Sequence, residues 1–288
     1  MDEATIGVIG GSGLYAMEGL SDVKEVKVST PFGDPSDVIT LGTLGRHRVA
    51  FLPRHGRGHR IAPSELPNRA NLFALKTLGV QWLVSVSACG SMREDFAPRD
   101  VVIPDQTFDR TRQRASTFFD DGMVVHMSFA EPFCPALSDI LYDAVREAGG
   151  TVHKGGVYLT IEGPQFSSKG ESNIYRKLGI DIIGMTNLPE AKLAREAEIC
   201  YATMAHITDY DVWHESAEPV TLQMVISNLN ANVTLAQRAL RLAFDKIPAR
   251  RNHAPCPTAL HDAIVTAPDL IPAHVKEELK PLVGKYIT

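Results

Sequence analysis

Residues 5–15 read TIGVIGGSGLY, in which an apolar run ends in a glycine-rich loop. The apolar run from Ile6 to Ile9 predicts a strand buried on both faces, as in a sheet that helices cover on each side. The small residues 10–13 let a ligand or another segment approach the backbone closely. This loop is therefore the first candidate binding site of the chain.

Three interpretations of the loop compete. The segment GSGLYA at residues 11–16 fits G-x-G-x-x-A, but a dinucleotide fold also needs a crossover helix and an acidic residue about 20 residues on. Residues 17–37 contain two glycines and two prolines, and Asp34 and Asp37 lie in a turn-like context, which disfavours dinucleotide binding. The loop amides together with the Ser12 hydroxyl suit a phosphate. A tight turn without a ligand remains the third interpretation.

The composition limits the class of protein. The 288 residues are 44% hydrophobic and 22% charged, as in ordinary globular proteins, and the formal charge of -5 favours neither nucleic acid nor a membrane surface as partner. The acidic residues before the first strand and the lack of a long apolar run predict neither a signal peptide nor a membrane span, so we expect a cytoplasmic protein. The four cysteines are widely spaced and lack CxxC pairs, which predicts reduced thiols rather than a disulfide frame or a zinc site.

Short apolar runs alternate with amphipathic segments along the chain. Strands are predicted over residues 7–9, 49–52, 82–86, 101–103, 157–161, 180–183 and 199–207. Helices are predicted over residues 67–78, 137–148 and 219–246, with another beginning at Pro189. The pattern predicts one α/β domain over residues 1–288, in which residues 249–288 form a helical extension.

Two further strand ends carry groups that suit an anion. In LPRHGRGHR (residues 52–60), Arg54 offers a fixed fork of donors and His55 another polar group. A metal site at His55 and His59 is disfavoured because the glycines between them oppose a helix and no carboxylate or thiol lies within the segment. A solvated basic turn is the alternative. The third strand end is VSACGS (residues 86–91), which is again small and hydroxyl-bearing.

The segment ICYATMAHITDYDVWH (residues 199–214) is a nearly uncharged strand that ends in Asp209 and Asp211. If the strand continues, the two carboxylates share one face. Burial and mutual repulsion raise the pKa of a carboxyl, which suits a general acid. A turn or capping pair is an equally good interpretation, since aspartate is common where strands end.

Long blocks of the sequence resemble one enzyme family. They are IGGSGL, TPFGDPSD, RHGRGH, SACGSMRED, FAEPFCP, IEGPQFSS, GMTNLPEAKLAREAEICYA and TDYDVW, in order between residue 6 and about residue 245. They resemble the 5′-methylthioadenosine phosphorylases, which belong to the trimeric class of purine nucleoside phosphorylases. The resemblance implies a single α/β domain with a twisted, mixed, partly barrel-like sheet flanked by helices. It also implies a homotrimer, leaves open whether two trimers pair into a hexamer, and is weakest over the last 40 residues.

The resemblance assigns roles to matching residues. Those for phosphate are Ser12, Arg54, His55, Ser87, Ala88 through its backbone, and Thr186. Those for the nucleoside are Met185 at the ribose, Phe166 and Ser167 beside the purine, and Asp209 and Asp211 at the purine edge, with Asp209 as general acid. Those around the methylthio group are Leu222, Val225 and Ile226, with His126 from a neighbouring chain. No metal or organic cofactor is implied, because inorganic phosphate is the co-substrate.

The family pattern is not followed everywhere. Serines stand at 12 and 87 where threonine is frequent, Gly184 replaces asparagine, and Gln165 replaces arginine. The implied reaction is phosphorolysis of methylthioadenosine to adenine and 5-methylthioribose 1-phosphate. One rival is a phosphorylase for methylthioinosine, inosine or guanosine, although the oxopurine enzymes carry asparagine where Asp209 stands. A non-catalytic nucleotide-binding module is the other.

Overall fold

A computed structural model describes residues 3–11, 14, 17–214, 222–251 and 256–287, and within residues 222–230 only the side chains of 223 and 228. The strands are β1 (Ile6–Gly10), β2 (Ser21–Val26), β3 (Ile39–Leu44), β4 (His47–Pro53), β5 (Trp82–Ser91), β6 (Val101–Ile103), β7 (Gln106–Arg110), β8 (Val152–Lys154), β9 (Val157–Ile161), β10 (Ile182–Gly184) and β11 (Cys200–Asp209). The α-helices are α1 (Asn68–Thr77), α2 (Pro135–Glu147), α3 (Lys169–Lys177), α4 (Asn187–Glu196), α5 (Leu222–Lys246), α6 (Ala273–Glu278) and α7 (Lys280–Val283).

The described strands form one mixed sheet that divides at β5. The main path runs β2-β3-β4-β1-β5-β10-β9-β7, and β11 leaves the other edge of β5 and continues to β6 and β8. Strand β1 pairs in parallel with β4 and β5, and β11 pairs in parallel with β5. The second half of β5 pairs antiparallel with β10. The long strand β5 therefore pairs directly with β1 and β11 and is linked to β4 through β1.

Helices cover both faces of the sheet, which explains why its central strands are apolar on both sides. On one face, Ile9 and Tyr201 pack in a core with residues of α1, α4 and the C-terminal helices. On the other face, Val8 and Ala202 pack in a core with residues of α2 and α5. Successive side chains of a strand point to opposite faces, so each strand contributes to both cores. The predicted α/β fold with a mixed sheet flanked by helices is confirmed.

Most predicted elements are present with shifted boundaries. The helix predicted at 67–78 is α1, one residue shorter at each end, and that at 137–148 is α2, which begins two residues earlier. The strand predicted at 180–183 is β10, shifted toward its C-terminal end. Four strands were not predicted, namely β2, β3, β7 and β8. Strands β2 and β7 end the main path of the sheet and are largely exposed, so their sequences lack an apolar run.

The segments at either end of the domain differ in character. After residue 255 the described chain forms two 3₁₀ turns and the short helices α6 and α7. Within residues 17–37, where a dinucleotide fold requires a crossover helix, the described residues include strand β2. None of the helices in the described residues is long and apolar enough to cross a membrane.

Glu196, at the end of α4, is a buried carboxyl without a cationic partner among the described residues. Its side chain accepts hydrogen bonds from Thr117 Oγ1 and from the backbone N–H of Phe118, each at 2.7 Å. Burial nevertheless raises its pKa to about 7. The folded protein therefore holds a proton there that the unfolded chain releases near pH 4.5, and the free energy of unfolding falls as pH rises between these values.

Glu196→Gln removes this titration and keeps an acceptor for Phe118. We expect the variant to gain stability relative to wild type as pH rises from 4.5 to 7, by about 1–3 kcal/mol. Urea unfolding at several pH values measures the difference, with the exposed Glu277→Gln as control. Parallel stability curves for wild type and Glu196→Gln would contradict the assignment.

Candidate active site

The carboxyl ends of four parallel strands meet at one edge of the sheet. Strands β1 and β4 end there at Gly10 and Pro53, and β11 ends at Asp209. Strand β5 pairs with β1 as far as Ser85 and then continues to Ser91. Ligands of open α/β sheets bind at this edge, because the loops that follow neighbouring parallel strands converge there. The start of the glycine loop at Gly10 and Gly11 and the loops after β4 and β11 therefore lie at this edge, around the second half of β5.

Arg54 occupies the centre of this edge but is buried rather than projecting into solvent; it is 2% exposed. Its Nε and Nη2 donate to the two carboxylate oxygens of Glu190 on α4. Nη1 donates to the carbonyl of Val86, and Nη2 also donates to Ile9 O and Ser85 Oγ. Four of the five guanidinium hydrogens are thus used within the described residues, so the side chain has at most one left for a ligand.

This environment changes what an Arg54 substitution tests. Removal of the guanidinium leaves the Glu190 carboxylate, which is 0% exposed, without its cation. Breaking a buried pair in this way costs about 3–5 kcal/mol of stability. Weak phosphate use by Arg54→Ala would therefore not separate binding from folding. The phosphate role of Arg54 stays a prediction, and Glu190 is a site residue that the sequence analysis missed.

His55 is held as a neutral ring. Its Nδ1 lies 2.9 Å from Ile61 O and must donate to that carbonyl, and the ring stacks on His59 at 4.1 Å. Burial lowers its pKa to about 4. With Nδ1–H engaged, Nε2 carries a lone pair and accepts rather than donates. The phosphate role of His55 stays a prediction, and in the neutral form its Nε2 would accept from a protonated phosphate oxygen.

Two predicted phosphate residues meet directly. Ser87 Oγ on β5 lies 3.0 Å from Thr186 Oγ1, which precedes α4, and Ala88 follows on β5. Hydroxyls 3.0 Å apart can turn toward a common anion, because each is both donor and acceptor. Ser12 lies outside the described residues, so the structure places only part of the predicted phosphate set.

The replacement of asparagine by Gly184 has a structural reason. A Cβ at Gly184 would lie 2.2 Å from the hydroxyl of Tyr158 on β9 and 2.9 Å from its ring. Tyr158 is 0% exposed, and its hydroxyl has no hydrogen-bond partner of good geometry among the described residues. The tyrosine thus fills the volume that a side chain at 184 needs. Tyr158 and Gly184 form a coupled pair two residues from Thr186.

Arg114 anchors the segment that carries Met185. Its Nη1 donates to Met185 O at 2.7 Å and to Leu188 O at 2.8 Å, and its Nε pairs with the Glu162 carboxylate at 2.9 Å. Met185 Sδ in turn packs on Gly163, where a Cβ would approach it to 2.6 Å. The sequence analysis missed Arg114, whose only signal was its place in the basic run DRTRQR (109–114).

Asp209 and Asp211 meet in a turn rather than along a continued strand. Strand β11 ends at Asp209, and Asp211 has a positive φ of 53°. The strand therefore does not continue to Asp211, and the two side chains do not share one face of it. Instead, Asp209 Oδ1 accepts the N–H of Asp211 at 2.8 Å, and Oδ2 accepts Thr208 Oγ1 at 2.7 Å. Both carboxyls are 7% exposed.

The electrostatics of the pair favour protonation. Burial raises the pKa of the Asp209 carboxyl despite its two hydrogen bonds. Burial also raises the pKa of Asp211, and the charges of Asp209 and Glu171 add to the effect. Asp211 Oδ2 is buried without a hydrogen-bond partner of good geometry among the described residues, although the neighbouring Ser172 hydroxyl partly offsets the rise in its pKa. The absence of a side chain at Gly90 lets the Asp209 carboxyl lie close to β5, because a Cβ at Gly90 would be 3.0 Å from Asp209 Oδ1.

Phe166 and Ser167 line an open cavity of about 450 Å³ that does not include the aspartate pair. Glu171 joins the two regions, since it lines this cavity and also acts on Asp211. Phe166 is 55% exposed, so its side chain is placed beside the cavity without being packed. The first turn of α3 therefore connects the predicted purine residues with the aspartate pair, but the two sets of residues do not line one cavity.

The structure describes only part of the predicted 5′ pocket. Leu222, Val225 and Ile226 lie on α5, but their side chains are outside the described residues. His126 is exposed, and its backbone N–H donates to Ala263 O. These four assignments stay predictions.

The Tyr158 and Gly184 pair offers a test of the packing. Gly184→Ala is expected to destabilise the fold by about 1–3 kcal/mol, because the new methyl overlaps a buried ring. Tyr158→Phe removes the closest atom, so the double variant is expected to lose less stability than the sum of the single variants. Thermal unfolding of all four proteins measures the coupling, and strict additivity would show that the two positions do not compete for space.

Comparisons with known proteins identify the family of the chain. Residues 5–244 match the model of the phosphorylase superfamily. The S-methyl-5′-thioadenosine phosphorylase of Chloroflexus aurantiacus is 58% identical over 99% of both chains, and that of Geobacter sulfurreducens is 54% identical over 99% of this chain and all of its own.

Solved structures give the same result. A methylthioadenosine phosphorylase from an Antarctic soil metagenomic library superposes with a TM-score of 0.94 at 50% identity, covering 98% of this chain and 99% of its own. A variant adenosine/methylthioadenosine phosphorylase from Schistosoma mansoni, solved with methylthioadenosine, superposes with a TM-score of 0.81 at 38% identity over 86% of this chain and 93% of its own. The chain belongs to the phosphorylase superfamily.

Proposed function

We propose that the chain cleaves 5′-methylthioadenosine with inorganic phosphate, yielding adenine and 5-methylthioribose 1-phosphate. The observation that carries the proposal is the arrangement along β5, where Ser87 meets Thr186 and, three residues on, Gly90 contacts the buried Asp209. One strand thus presents an anion-binding hydroxyl pair beside a carboxyl that favours its protonated form. Full-length relatives that bear the name of this activity support the proposal.

The purine is the leaving group and needs a proton or a strong hydrogen bond at N7. In the proposed reaction Asp209 supplies it, since a carboxyl with a raised pKa acts as general acid. Asp211, whose Oδ2 has no hydrogen-bond partner of good geometry among the described residues, is assigned to the 6-amino edge. When Asp209 carries the proton, its charge no longer disfavours ionisation of Asp211. The ionised Asp211 carboxylate then accepts from an amino group and repels an oxo group, so the pair favours adenine over hypoxanthine.

Phosphate attacks C1′ from the opposite side of the sugar. The proposed donors are the hydroxyls of Ser87, Thr186 and Ser12 and the N–H of Ala88, with one hydrogen of Arg54. The phosphate charge stabilises the oxocarbenium-like sugar as the purine departs. Attack from the face opposite to the purine inverts the anomeric carbon.

The remaining features of the proposal concern assembly. We assign the 5′ methylthio group to Leu222, Val225 and Ile226, with His126 of a neighbouring copy, so the working unit is a homotrimer. Light scattering measures the mass of the assembly in solution, which should be three times that of one chain. No metal or organic cofactor takes part in the proposed reaction, and the proposed location is the cytoplasm.

Adenine release from methylthioadenosine should require phosphate. Thr186→Val keeps the shape of the side chain and removes one donor to a charged ligand, which is expected to raise KM for phosphate about 10–100-fold with a smaller change in KM for the nucleoside. The exposed Thr77→Val is the matched control. Equal adenine release by wild type in phosphate-free buffer would indicate a hydrolase.

Asp209→Asn tests the acid. Loss of proton transfer is expected to lower kcat on methylthioadenosine about 10²–10⁴-fold and to open some cleavage of inosine. The exposed Asp139→Asn is the control. Wild-type turnover by Asp209→Asn would remove this residue from the acid role, whereas adenine release by neither wild type nor variant would count against the whole proposed function.

A further inference from the structure

Three of the four cysteines meet in the core, although they are far apart in the sequence. Cys134 precedes α2 as its N-terminal cap, Cys200 begins β11, and Cys256 begins the first 3₁₀ turn of the C-terminal segment. Each is at most 1% exposed, and their sulfur atoms all lie within 4.8 Å of one another. The sequence spacing predicted isolated thiols, so this juxtaposition is a property of the fold.

We propose that Cys134, Cys200 and Cys256 form a three-coordinate site for a soft monovalent cation, Cu(I). Three thiolates with metal–sulfur bonds of about 2.3 Å in a plane lie about 4 Å apart, so the sulfurs need to move by less than 1 Å. Thiolates select Cu(I), which accepts low coordination numbers. Zinc instead takes four ligands in structural sites, and the described residues offer no fourth histidine, cysteine or carboxylate in this cluster.

The surroundings of the sulfurs suit a cluster that carries negative charge. The backbone N–H groups of Ala136 and Leu137, in the first turn of α2, point at Cys134. The positive end of the dipole of this 13-residue helix faces the same sulfur. On the other side of the cluster, the positive charge of Arg195 acts on Cys256. Cu(I) replaces thiol protons, which pass to the buffer, and no electron is transferred.

The proposed site is independent of the phosphorolysis reaction. Cys200 and Asp209 are at opposite ends of β11, about 30 Å apart for a strand of this length. A bound cation would join α2, β11 and the C-terminal segment, and it would add to the backbone hydrogen bond from Cys134 N–H to Tyr201 O that already links the first two. Its expected effect is therefore on stability, with no first-order effect on turnover.

The test uses the reduced full-length protein without oxygen. It is equilibrated with Cu(I) held by a chromogenic chelator, and metal transfer is read from loss of the chelator colour and from thiolate-to-copper absorption in the ultraviolet. Wild type should take one equivalent and gain thermal stability, and Cys256→Ser should lose at least 10-fold in affinity. The control is Cys89→Ser, because Cys89 is buried away from the cluster and should leave uptake unchanged.

X-ray absorption on the loaded wild type keeps the test independent of how the variants fold. Three sulfur neighbours at about 2.3 Å are expected. No transfer to wild type, equal uptake by wild type and Cys256→Ser, or two sulfur neighbours would overturn the proposal. Preferential uptake of zinc over Cu(I) would overturn the assignment of the cation.

Discussion

The buried pair of Arg54 and Glu190 is the constraint on which the rest of the site depends. Arg54 follows β4, and its guanidinium also binds the backbone of β1 at Ile9 and of β5 at Val86. Glu190 lies on α4 and accepts in addition from Tyr201 of β11. Removing either charge would leave the other buried without a partner. The carboxyl ends of β1 and β4, the middle of β5 and the start of β11 are thus all tied to one helix by a single pair.

This pair also places the hydroxyls of the anion site. Because Arg54 holds α4 at Glu190, Thr186, which directly precedes α4, is brought to Ser87 on β5. Asn187 continues the network through Tyr201 and Thr107. Net stabilisation from a buried ion pair is small, since desolvation offsets most of the attraction. Its role here is to position groups, and Arg114 has the same role for the backbone of Met185.

The sequence was sufficient to predict what depends on local pattern. Apolar runs identify β1, β5 and β11 because helices cover both faces, and the amphipathic segments locate α1 and α2 within two residues. Strands β2 and β7 were not predicted, because exposed edge strands do not require apolar residues. Pattern reports which residues are buried but not which buried groups meet.

The groups that were missed all depend on long-range contacts. Glu190 lies 136 residues from Arg54, and Gly184 is explained only by the ring of Tyr158 on a neighbouring strand. The cysteine cluster joins residues 134, 200 and 256 in the same way. The aspartate pair was predicted by its residue type, but the turn that joins the two carboxyls could not be read from alternation along a strand.

The charge balance at this edge of the sheet links the two halves of the proposed reaction. Glu190 neutralises Arg54, and His55 is held neutral, so an incoming phosphate meets mainly uncharged donors and keeps much of its negative charge. That charge would lie near β5 residues 87 and 88, close to Gly90 and hence to Asp209. A nearby negative charge favours the protonated carboxyl, which burial already favours. Phosphate binding and protonation of the acid then stabilise each other by the same free energy, because coupling between two binding events is reciprocal. The nucleophile thus helps to prepare the acid that releases the leaving group.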